Sequence, residues 1–276
     1  MDKKIWLITG ISSGLGKSLA AYVMDQGDFV IGTFRSQHQV DEFKAKHQGA
    51  GDAFLLDIKN GEEMHSMVRS ILTQYAKIDV LVNNAGVGFV GAVEETSMEE
   101  VRAVFEANFF GTLNLTNHIL PSMRREGKGH IVQISSHGGV KAFAGFGIYN
   151  ASKFALEGFS EALAQEVGPL GIGVTIVEPG PFRTNFAGNG LGIAANVIED
   201  YEETAGAFKT KLLSVDGKQE GDPDKAAEAI FAHINGENSS LRLPLGKIPI
   251  ATIGMKIESL QSDLSRNRAI AERAVF

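Results

Sequence analysis

From the N-terminus to about residue 180, short apolar runs alternate with longer stretches in which apolar residues recur at helical spacing. The runs are too short for stable helices and are rich in β-branched or large apolar side chains, which is typical of buried strands. The predicted strands are Ile5–Thr9, Phe29–Thr33, Ala53–Leu56, Val80–Val82, His130–Ile134 and Gly173–Val177. The predicted helices between them include Lys17–Gln26, Gly61–Gln74, Met98–Arg125 and Tyr149–Gly168. This alternation predicts an α/β fold with a doubly wound parallel sheet and helices on both faces.

Residues after Gly180 follow a different pattern. The stretch 185–221 is rich in Gly and Ala, carries mixed charge and has little strand character. Ligands of such sheets bind beyond the carboxyl ends of the strands, so we predict that this stretch is a lid on the substrate side. A segment that only packs on the body is the alternative.

The C-terminal part of the chain returns to regular patterns. Asp222-Pro223-Asp224 begins a further helix, because proline is well tolerated in a first turn. Residues 241–276 are predicted to supply a last strand, Leu241–Leu245, and a terminal helix, Ile257–Ala274. No linker or repeat divides the chain, so residues 1–276 are predicted to form a single domain.

Composition narrows the class of protein. The net charge of −7 and the lack of a Lys/Arg block argue against nucleic acid as a partner. No apolar stretch approaches the ~20 residues that cross a bilayer, so we expect no membrane partner. The chain has no cysteine, and its seven histidines lack metal-ligand spacing, so we predict no metal site. A cytoplasmic enzyme fits these features best.

A glycine-rich loop, Thr9-Gly10-Ile11-Ser12-Ser13-Gly14-Leu15-Gly16, lies between the first predicted strand and the first predicted helix. Gly10 permits a tight turn, and Gly14 and Gly16 let the backbone approach a pyrophosphate. The N-terminus of the following helix offers free N–H groups and the positive end of its dipole. The spacing is G-x-x-x-G-x-G rather than the commoner G-x-G-x-x-G. The loop indicates a dinucleotide site, with ordinary turn glycines as the alternative.

Gly16-Lys17-Ser18 suggests a second interpretation, a nucleoside triphosphate loop. That motif needs a glycine at position 11, which is Ile in this chain, and Gly10 is one residue too far away. The spacing therefore argues against an NTPase.

The residues after the second strand bear on the choice of cofactor. An acidic residue there would bind the ribose 2′-hydroxyl of NAD, but the chain continues as Phe34-Arg35-Ser36. Arg35 can form a fork with the 2′-phosphate of NADP, and Ser36 can donate a further hydrogen bond. This pattern favours NADP(H) over NAD(H), with an ordinary solvated arginine as the alternative.

Tyr149 and Lys153 lie four residues apart at the start of a predicted helix, which puts them on one face. A nearby ammonium stabilises a phenolate, so we expect a lowered pKa for Tyr149 and a role as general acid/base. Ser136 follows a predicted strand, where its hydroxyl can hydrogen-bond the reacting oxygen. A plain helix and a strand that ends in turn-favouring serines are the alternatives.

In combination, these motifs resemble the short-chain dehydrogenase/reductase family. The motifs are, in order, the loop Thr9–Gly16, Asn83-Asn84-Ala85-Gly86, Asn108, Ser136, Tyr149-x-x-x-Lys153 and Pro179-Gly180. The resemblance covers about the first 185 residues and implies a Rossmann-type fold. The run Glu178–Thr184 resembles the NADP-preferring branch that contains hydroxysteroid and retinol dehydrogenases.

The resemblance implies a role for each catalytic residue. Tyr149 would be the acid/base, and Ser136 would orient the substrate oxygen. Lys153 would hold the nicotinamide ribose and lower the pKa of Tyr149. Asn108 would support a water that relays protons to Lys153.

The resemblance also implies a set of residues that bind the cofactor. Asp57 would contact the adenine amino group and Thr184 the nicotinamide carboxamide. Ser13 stands where many NADP-preferring members carry a second basic residue. The full set is Gly10, Ser12, Ser13, Gly14, Leu15, Gly16, Arg35, Ser36, Asp57, Ile58, Asn84, Ala85, Gly86, Tyr149, Lys153, Pro179, Gly180 and Thr184.

Two functions of different class follow. The first is an oxidoreductase that transfers a hydride between NADP(H) and an alcohol or carbonyl substrate. Aromatic residues near the site, including Phe143, Phe146 and Phe186, suggest a hydrophobic substrate, with core packing as the alternative. The second is a non-catalytic NADP(H)-binding sensor or scaffold, although such a protein has no need of Ser136 and Tyr149.

The resemblance also suggests how subunits assemble. Many relatives are dimers or tetramers that pack through the two long helices corresponding to Met98–Arg125 and Tyr149–Gly168. We therefore expect this chain to form a homodimer or homotetramer. Packing within one chain is the alternative explanation for an apolar face on these helices.

Overall fold

The computed structural model describes residues 3–186, 188, 190–236 and 239–276. Its strands are β1 (Ile5–Ile8), β2 (Phe29–Phe34), β3 (Gly51–Leu55), β4 (Val80–Asn83), β5 (Gly88–Val90), β6 (Gly129–Ile134), β7 (Ile172–Pro179), β8 (Leu191–Ile193) and β9 (Arg242–Leu245). Seven of them form a parallel sheet in the order β3-β2-β1-β4-β6-β7-β9. The other two, β5 and β8, form a small parallel pair.

Helices connect the strands. They are α1 (Gly14–Asp25), α2 (Gln37–Lys46), α3 (Gly61–Tyr75), α4 (Met98–Phe105), α5 (Gly111–Glu126), α6 (Gly147–Val167), α7 (Ala207–Ser214), α8 (Pro223–Asn235) and α9 (Lys247–Ala271). Within the described ranges, no helix combines the length and apolar character that a bilayer span requires.

Each face of the sheet carries its own hydrophobic core. Side chains alternate along β1, so that Trp6 and Ile8 enter one core and Leu7 enters the other. The first core is covered by α1 and α8, and the indole of Trp6 stacks on Phe231 of α8 with ring centroids 5.6 Å apart. The second core is covered by α3, α5 and α6. The predicted Rossmann-type sheet with helices on both faces is confirmed as a single domain.

Two predicted helices differ from the structure. The predicted helix Met98–Arg125 is divided by a π-helical turn at Glu106–Phe110, which connects α4 to α5. Such turns often mark functional sites, and this one carries Asn108. The terminal helix begins at Lys247, ten residues before the predicted start at Ile257, because its first turns pack on the body around Pro249.

The two ends of the predicted lid region are joined at their base. Phe182 and Gly221 form a parallel β-bridge. The Arg183 N–H donates to the Gly221 carbonyl at 2.8 Å, and the Gly221 N–H donates to the Pro181 carbonyl at 3.2 Å. The two ends of the chain between them are therefore held side by side, and this chain contains β8, a π-helical turn at Glu202–Gly206 and α7.

Candidate active site

The predicted site residues gather at one edge of the sheet. Because the seven strands are parallel, all of their carboxyl ends lie at this edge. The chain moves from β1 to β2 and β3 on one side and to β4 on the other, so a crevice opens between β1 and β4. Ligands of doubly wound sheets bind at such a switch point.

The glycine loop forms a cradle that side chains would fill. Gly10 and Gly14 have positive φ angles of +68° and +58°, which residues other than glycine rarely adopt. A Cβ on Gly16 would lie 2.3 Å from the Asn84 amide nitrogen and 2.7 Å from the Gly10 carbonyl oxygen. Among the described residues, Ser13 makes no side-chain capping bond to α1, which leaves the first-turn N–H groups available to an anion. These features fit a dinucleotide pyrophosphate.

Gly16→Ala is expected to weaken the binding of NADPH by roughly tenfold or more, because overpacking costs about 1–3 kcal/mol. The added methyl group would displace Asn84 or the loop itself. Isothermal titration with NADPH measures the change. Gly158→Ala on α6 is the matched control, since a Cβ there meets no atom within 4 Å in the described structure. Equal affinity of Gly16→Ala and the wild type would contradict the proposed cradle.

Asn84 ties the glycine loop to the end of β4. Its amide nitrogen donates to the carbonyls of Thr9 and Gly10 at 2.8 and 3.0 Å. The Thr9 hydroxyl in turn accepts from the backbone N–H groups of Asn84 and Ala85, each at 2.9 Å. This network fixes both sides of the crevice against each other.

Tyr149, Ser136 and Lys153 come together below this loop. Tyr149 and Lys153 lie one turn apart on α6, and their side chains are only 5% and 6% exposed. The Ser136 hydroxyl accepts from the Gly138 N–H at 3.0 Å. A Cβ on Gly138 would lie 3.2 Å from the Ser136 hydroxyl oxygen and 3.5 Å from the Tyr149 ring, so both side chains line the same side of the site. The Lys153 ammonium donates to the Ile134 carbonyl at 2.8 Å and lies 6.0 Å from the centroid of the Tyr149 ring.

The ionisation of this pair differs from the expectation. Burial raises the pKa of Tyr149 to about 12, while the hydroxyl of Ser136 acts in the opposite direction. Burial lowers the pKa of Lys153 to about 8, and the negative charge of Glu157 opposes that effect. The expected lowering of the Tyr149 pKa by Lys153 is therefore not found, because desolvation of the phenolate dominates. Tyr149 is protonated at neutral pH.

Asn108 holds the backbone beside Lys153. Its carbonyl oxygen accepts from the Val87 N–H at 2.8 Å, and its amide nitrogen donates to the Val87 carbonyl at 2.9 Å and to the Ser152 hydroxyl at 3.0 Å. The side chain thus links the segment after β4 to α6. A Cβ on Gly86 would lie 3.0 Å from the Asn108 Oδ1 atom and 3.7 Å from the Lys153 Nζ atom, so the backbone of Gly86 forms a wall of the site.

The outer cofactor residues occupy two sides of the crevice. Arg35 and Ser36 are exposed directly after β2. The half-buried carboxylate of Asp57 follows β3 and accepts from the Lys59 N–H at 3.1 Å. The carbonyl of Ile58 packs against Gly111, where a Cβ would lie 2.5 Å away.

Residues after β7 close the crevice from the other side. Thr184 lies against the glycine loop, since its side chain is 3.2 Å from the position of a Cβ on Gly14. Gly180, next to Pro179, packs against Pro249 at the start of α9, where a Cβ would lie 2.7 Å from the proline ring. The segment after β7 therefore lies against the glycine loop that follows β1.

Aromatic side chains cover Tyr149. Its ring lies 4.5 Å from that of Phe146 and 5.6 Å from that of Phe186. Phe208 contacts both Phe146 and Phe143, at centroid distances of 5.2 and 6.2 Å. Residues of the 185–221 stretch thus supply part of the cover; these are Phe186, Leu191, Phe208 and Leu212. The chemistry is enclosed by apolar surface.

A partly buried ionic cluster next to Lys153 was not predicted. Glu157 lies one turn beyond Lys153 on α6, and its carboxylate pairs with Arg242 on β9. Arg242 also pairs with the buried Glu178 and with Glu161. Burial raises the pKa of Glu157 to about 7. Its four-residue spacing from Lys153 is a signal in the sequence, but Arg242 is 85 residues away along the chain.

Comparisons with known proteins agree with this geometry. The family model for the short chain dehydrogenases matches residues 4–190. A 3-ketodihydrosphingosine reductase from Bacteroides thetaiotaomicron is 36% identical over 249 residues, which cover 90% of this chain and 90% of the relative. Retinol dehydrogenase 8 from Bos taurus is 40% identical over 192 residues, which cover 66% of this chain and 60% of that protein.

Solved structures show the same fold. A short-chain dehydrogenase from Streptomyces avermitilis is 41% identical, with a TM-score of 0.93 and full coverage of both chains (100% of each). A Burkholderia phymatum short chain dehydrogenase/reductase in complex with NAD has a TM-score of 0.82 at 24% identity and 95% coverage of each chain. A serine dehydrogenase complexed with NADP⁺ has a TM-score of 0.74 at 25% identity, covering 87% of this chain and 94% of that one. The fold alone does not select between the two cofactors. The chain is an oxidoreductase that belongs to the short-chain dehydrogenase/reductase family.

Proposed function

We propose that this chain is an NADP(H)-dependent oxidoreductase for hydrophobic alcohols or carbonyl compounds, with Tyr149 as its general acid/base. The observation that carries the proposal is the meeting of Tyr149, Ser136 and Lys153 beside a glycine cradle at the switch point of the sheet. The dinucleotide, when bound, supplies or accepts the hydride. Gly10, Gly14, Gly16 and the N-terminus of α1 would hold its pyrophosphate.

Residues of the chain would bind the substrate oxygen and transfer the proton. Ser136 and Tyr149 each present a hydroxyl that can hydrogen-bond a carbonyl oxygen, and both side chains flank Gly138. The Tyr149 O–H donates its proton as an alkoxide forms, which favours reduction at neutral pH because the group is protonated there. Lys153 contributes a cation beside Gly86, in position to bind ribose hydroxyls. Asn108 acts on the site by fixing the Val87 backbone against α6.

A hydrophobic substrate is supported by the cover over Tyr149. Phe143, Phe146, Phe186 and Phe208 form a continuous aromatic cluster around its ring. Apolar walls with a few polar groups are typical of sites for bulky apolar ligands. Because Phe186 and Phe208 belong to the 185–221 stretch, we propose that this stretch is a lid that moves to admit substrate.

Arg35→Ala is expected to raise the Kd for NADPH by roughly 10- to 100-fold, since hydrogen bonds to charged groups contribute about 1.5–3 kcal/mol. The Kd for NADH is expected to stay unchanged, because NADH lacks the 2′-phosphate. Titration of the variant with both dinucleotides measures the difference. Arg102→Ala, on the exposed surface of α4, is the matched control. Equal losses for NADPH and NADH would contradict the role of Arg35.

The function is tested by following absorbance at 340 nm with NADPH, and with NADH in parallel, against aldehydes, ketones, quinones and steroids. Preferred turnover with NADPH on large apolar carbonyl compounds is the expected result. Preference for NADH would reject the cofactor assignment while leaving the chemistry of Tyr149 in place. A protein that binds NADPH but turns over no compound of the panel would favour the sensor or scaffold function.

We also propose assembly through the helices that the family resemblance indicates. Phe110 before α5 and Phe154 on α6 are 48% and 41% exposed, which is unusual for phenylalanine. Their exposure supports a homodimer or homotetramer in which α5 and α6 of two subunits pack together. A sedimentation experiment that finds monomers at micromolar concentration would reject it.

A further inference from the structure

Helix α9 leaves the body of the protein after its first turns. Its start is anchored by the buried Pro249 and by a hydrogen bond at 3.1 Å between Thr252 and His137, the neighbour of Ser136. From residue 257 to residue 276, every residue except Ser262 is exposed. At 1.5 Å per residue, the exposed helical part from Ile257 to Ala271 is roughly 20 Å long.

Large apolar side chains form a stripe along this helix. Ile257, Leu260 and Leu264 are 61%, 49% and 67% exposed, although isoleucine and leucine are usually buried. With Ile250 and Ile253 they follow intervals of three, four, three and four residues. Asn267 and Ala271 continue the same intervals. This is the heptad spacing of a helix that packs along a second helix.

The charged residues beside the stripe indicate which helix packs along it. In a parallel pair of helices, core positions recur at alternating intervals of three and four residues. The residue just before a core position that ends a four-residue interval faces the residue five positions later on the partner helix. Here Asp263 would face Arg268, and Lys256 would face the neutral Gln261. An antiparallel pairing of Leu260 with Leu264 would instead bring two Asp263 carboxylates together. The charges of two copies of α9 are therefore complementary when the two helices run parallel.

We propose that α9 of this chain pairs in parallel with α9 of a second copy, through a seam of Ile257, Leu260 and Leu264. This interface is separate from α5 and α6 and goes beyond the proposed activity. The seam begins where the helix has left the body, so its apolar side chains are accessible to a second copy. Twofold symmetry places each Asp263 against Arg268 of the other copy, so the contact forms twice.

A lipid surface fits this stripe less well than a second copy. Helices that lie on anionic membranes carry mainly Lys and Arg on their polar face. Between residues 254 and 276 the chain has four basic residues and three acidic ones. Three serines, Ser259, Ser262 and Ser265, occupy the side opposite the stripe. The mixed charge therefore favours a protein partner.

The first test compares two variants of the full chain that add the same charge. Leu260→Lys combined with Leu264→Lys is expected to halve the mass measured by light scattering, whether the wild type is a dimer or a larger assembly. Ser259→Lys combined with Ser262→Lys, on the opposite side, is expected to keep the mass of the wild type. Thermal unfolding of both variants checks that the domain stays folded. Equal masses for all three proteins, or a monomeric wild type, would overturn the proposal.

The second test uses the absence of cysteine from the chain. Leu264→Cys is expected to form an interchain disulfide under mild oxidation, because parallel pairing in register brings the two positions together. Ser262→Cys is expected to stay unlinked. Failure of Leu264→Cys to link, or equal linking of both variants, would overturn the parallel pair. Binding of a monomeric wild type to phosphatidylserine vesicles, lost when Leu260 and Leu264 are replaced, would assign the stripe to lipid instead.

Discussion

Tyr149→Phe is expected to lower kcat for carbonyl reduction by about 10²- to 10⁴-fold, because it removes the proton donor while keeping the aromatic ring. The ring packs between Phe146 and Phe186, at 4.5 and 5.6 Å, so the cover and the fold are expected to survive. The affinity for NADPH is expected to stay within about twofold of the wild type, since the cradle around Gly16 is untouched. Turnover of the best substrate of the panel and titration with NADPH measure the two quantities.

Tyr22→Phe is the matched control for this substitution, because Tyr22 packs edge-on against Phe231 and lies outside the crevice. It is expected to leave kcat unchanged. Turnover of Tyr149→Phe at the rate of the wild type would remove Tyr149 from the mechanism. Loss of NADPH binding in Tyr149→Phe would point to a structural role instead.

The pH dependence of the wild type follows from the same residue. Burial raises the pKa of Tyr149 to about 12, so the proton donor is present across the neutral range. The chemical step of reduction is therefore expected to show no dependence on this group between pH 6 and 9. Alcohol oxidation needs the phenolate, whose fraction rises about tenfold per pH unit below the pKa, so its rate is expected to increase with pH. A rate of oxidation that falls with rising pH would contradict the assignment.

Arg242→Met is expected to lower the free energy of unfolding by about 2–4 kcal/mol at pH 8. Loss of one partner from a buried ion pair costs about 3–5 kcal/mol. About a third of the Arg242 side chain is in contact with water, which reduces the effect. The variant leaves the carboxylates of Glu157 and Glu178 buried without their cation. Urea denaturation followed by circular dichroism measures the change.

The loss of unfolding free energy in Arg242→Met is expected to be smaller at pH 5 than at pH 8. Burial raises the pKa of Glu157 from 4.5 to about 7, so the folded protein binds this proton more tightly than the unfolded chain. The stability that this group contributes therefore falls as the pH rises through that window. Without Arg242 the pKa of Glu157 rises further, and the destabilisation grows with pH.

Addition of Glu157→Gln to Arg242→Met is expected to restore part of the stability. Arg124→Met, on the exposed end of α5, is the control. Equal losses at the two pH values would contradict the role of Arg242.

The sheet and the centre of the site could be predicted because their signals are local. The apolar run Ile5–Ile8 followed by a glycine loop specifies a buried strand, a tight turn and a helix start within a few residues. Tyr149 and Lys153 share a helix face by spacing alone. Their roles in catalysis remain predictions, as does the preference for NADP(H) that rests on Arg35.

Features that depend on distant contacts could not be predicted. Arg242 pairs with Glu157 across 85 residues, and no local pattern connects them. The pKa of Tyr149 is set by burial under Phe146 and Phe186, which approach it only in the folded chain. The short strands β5 and β8, of three residues each, fall below the length at which alternation is informative. The π-helical turn that carries Asn108 arises where α4 and α5 meet the segment after β4.

Phe182 and Gly221 form a bridge at the base of the intervening chain, so the length of that chain can change without moving the two residues apart. Since both ends are held together, β7 and α8 are positioned independently of what lies between them. Each doubling of a flexible loop adds only about 0.6 kcal/mol of closure entropy. Exchange of the part of this segment after Thr184 with that of a relative can therefore alter the wall over Tyr149 without disturbing the seven-stranded sheet. The base of the segment is thus a natural boundary for chimeric enzymes, at which new substrate preferences are grafted onto an unchanged catalytic frame.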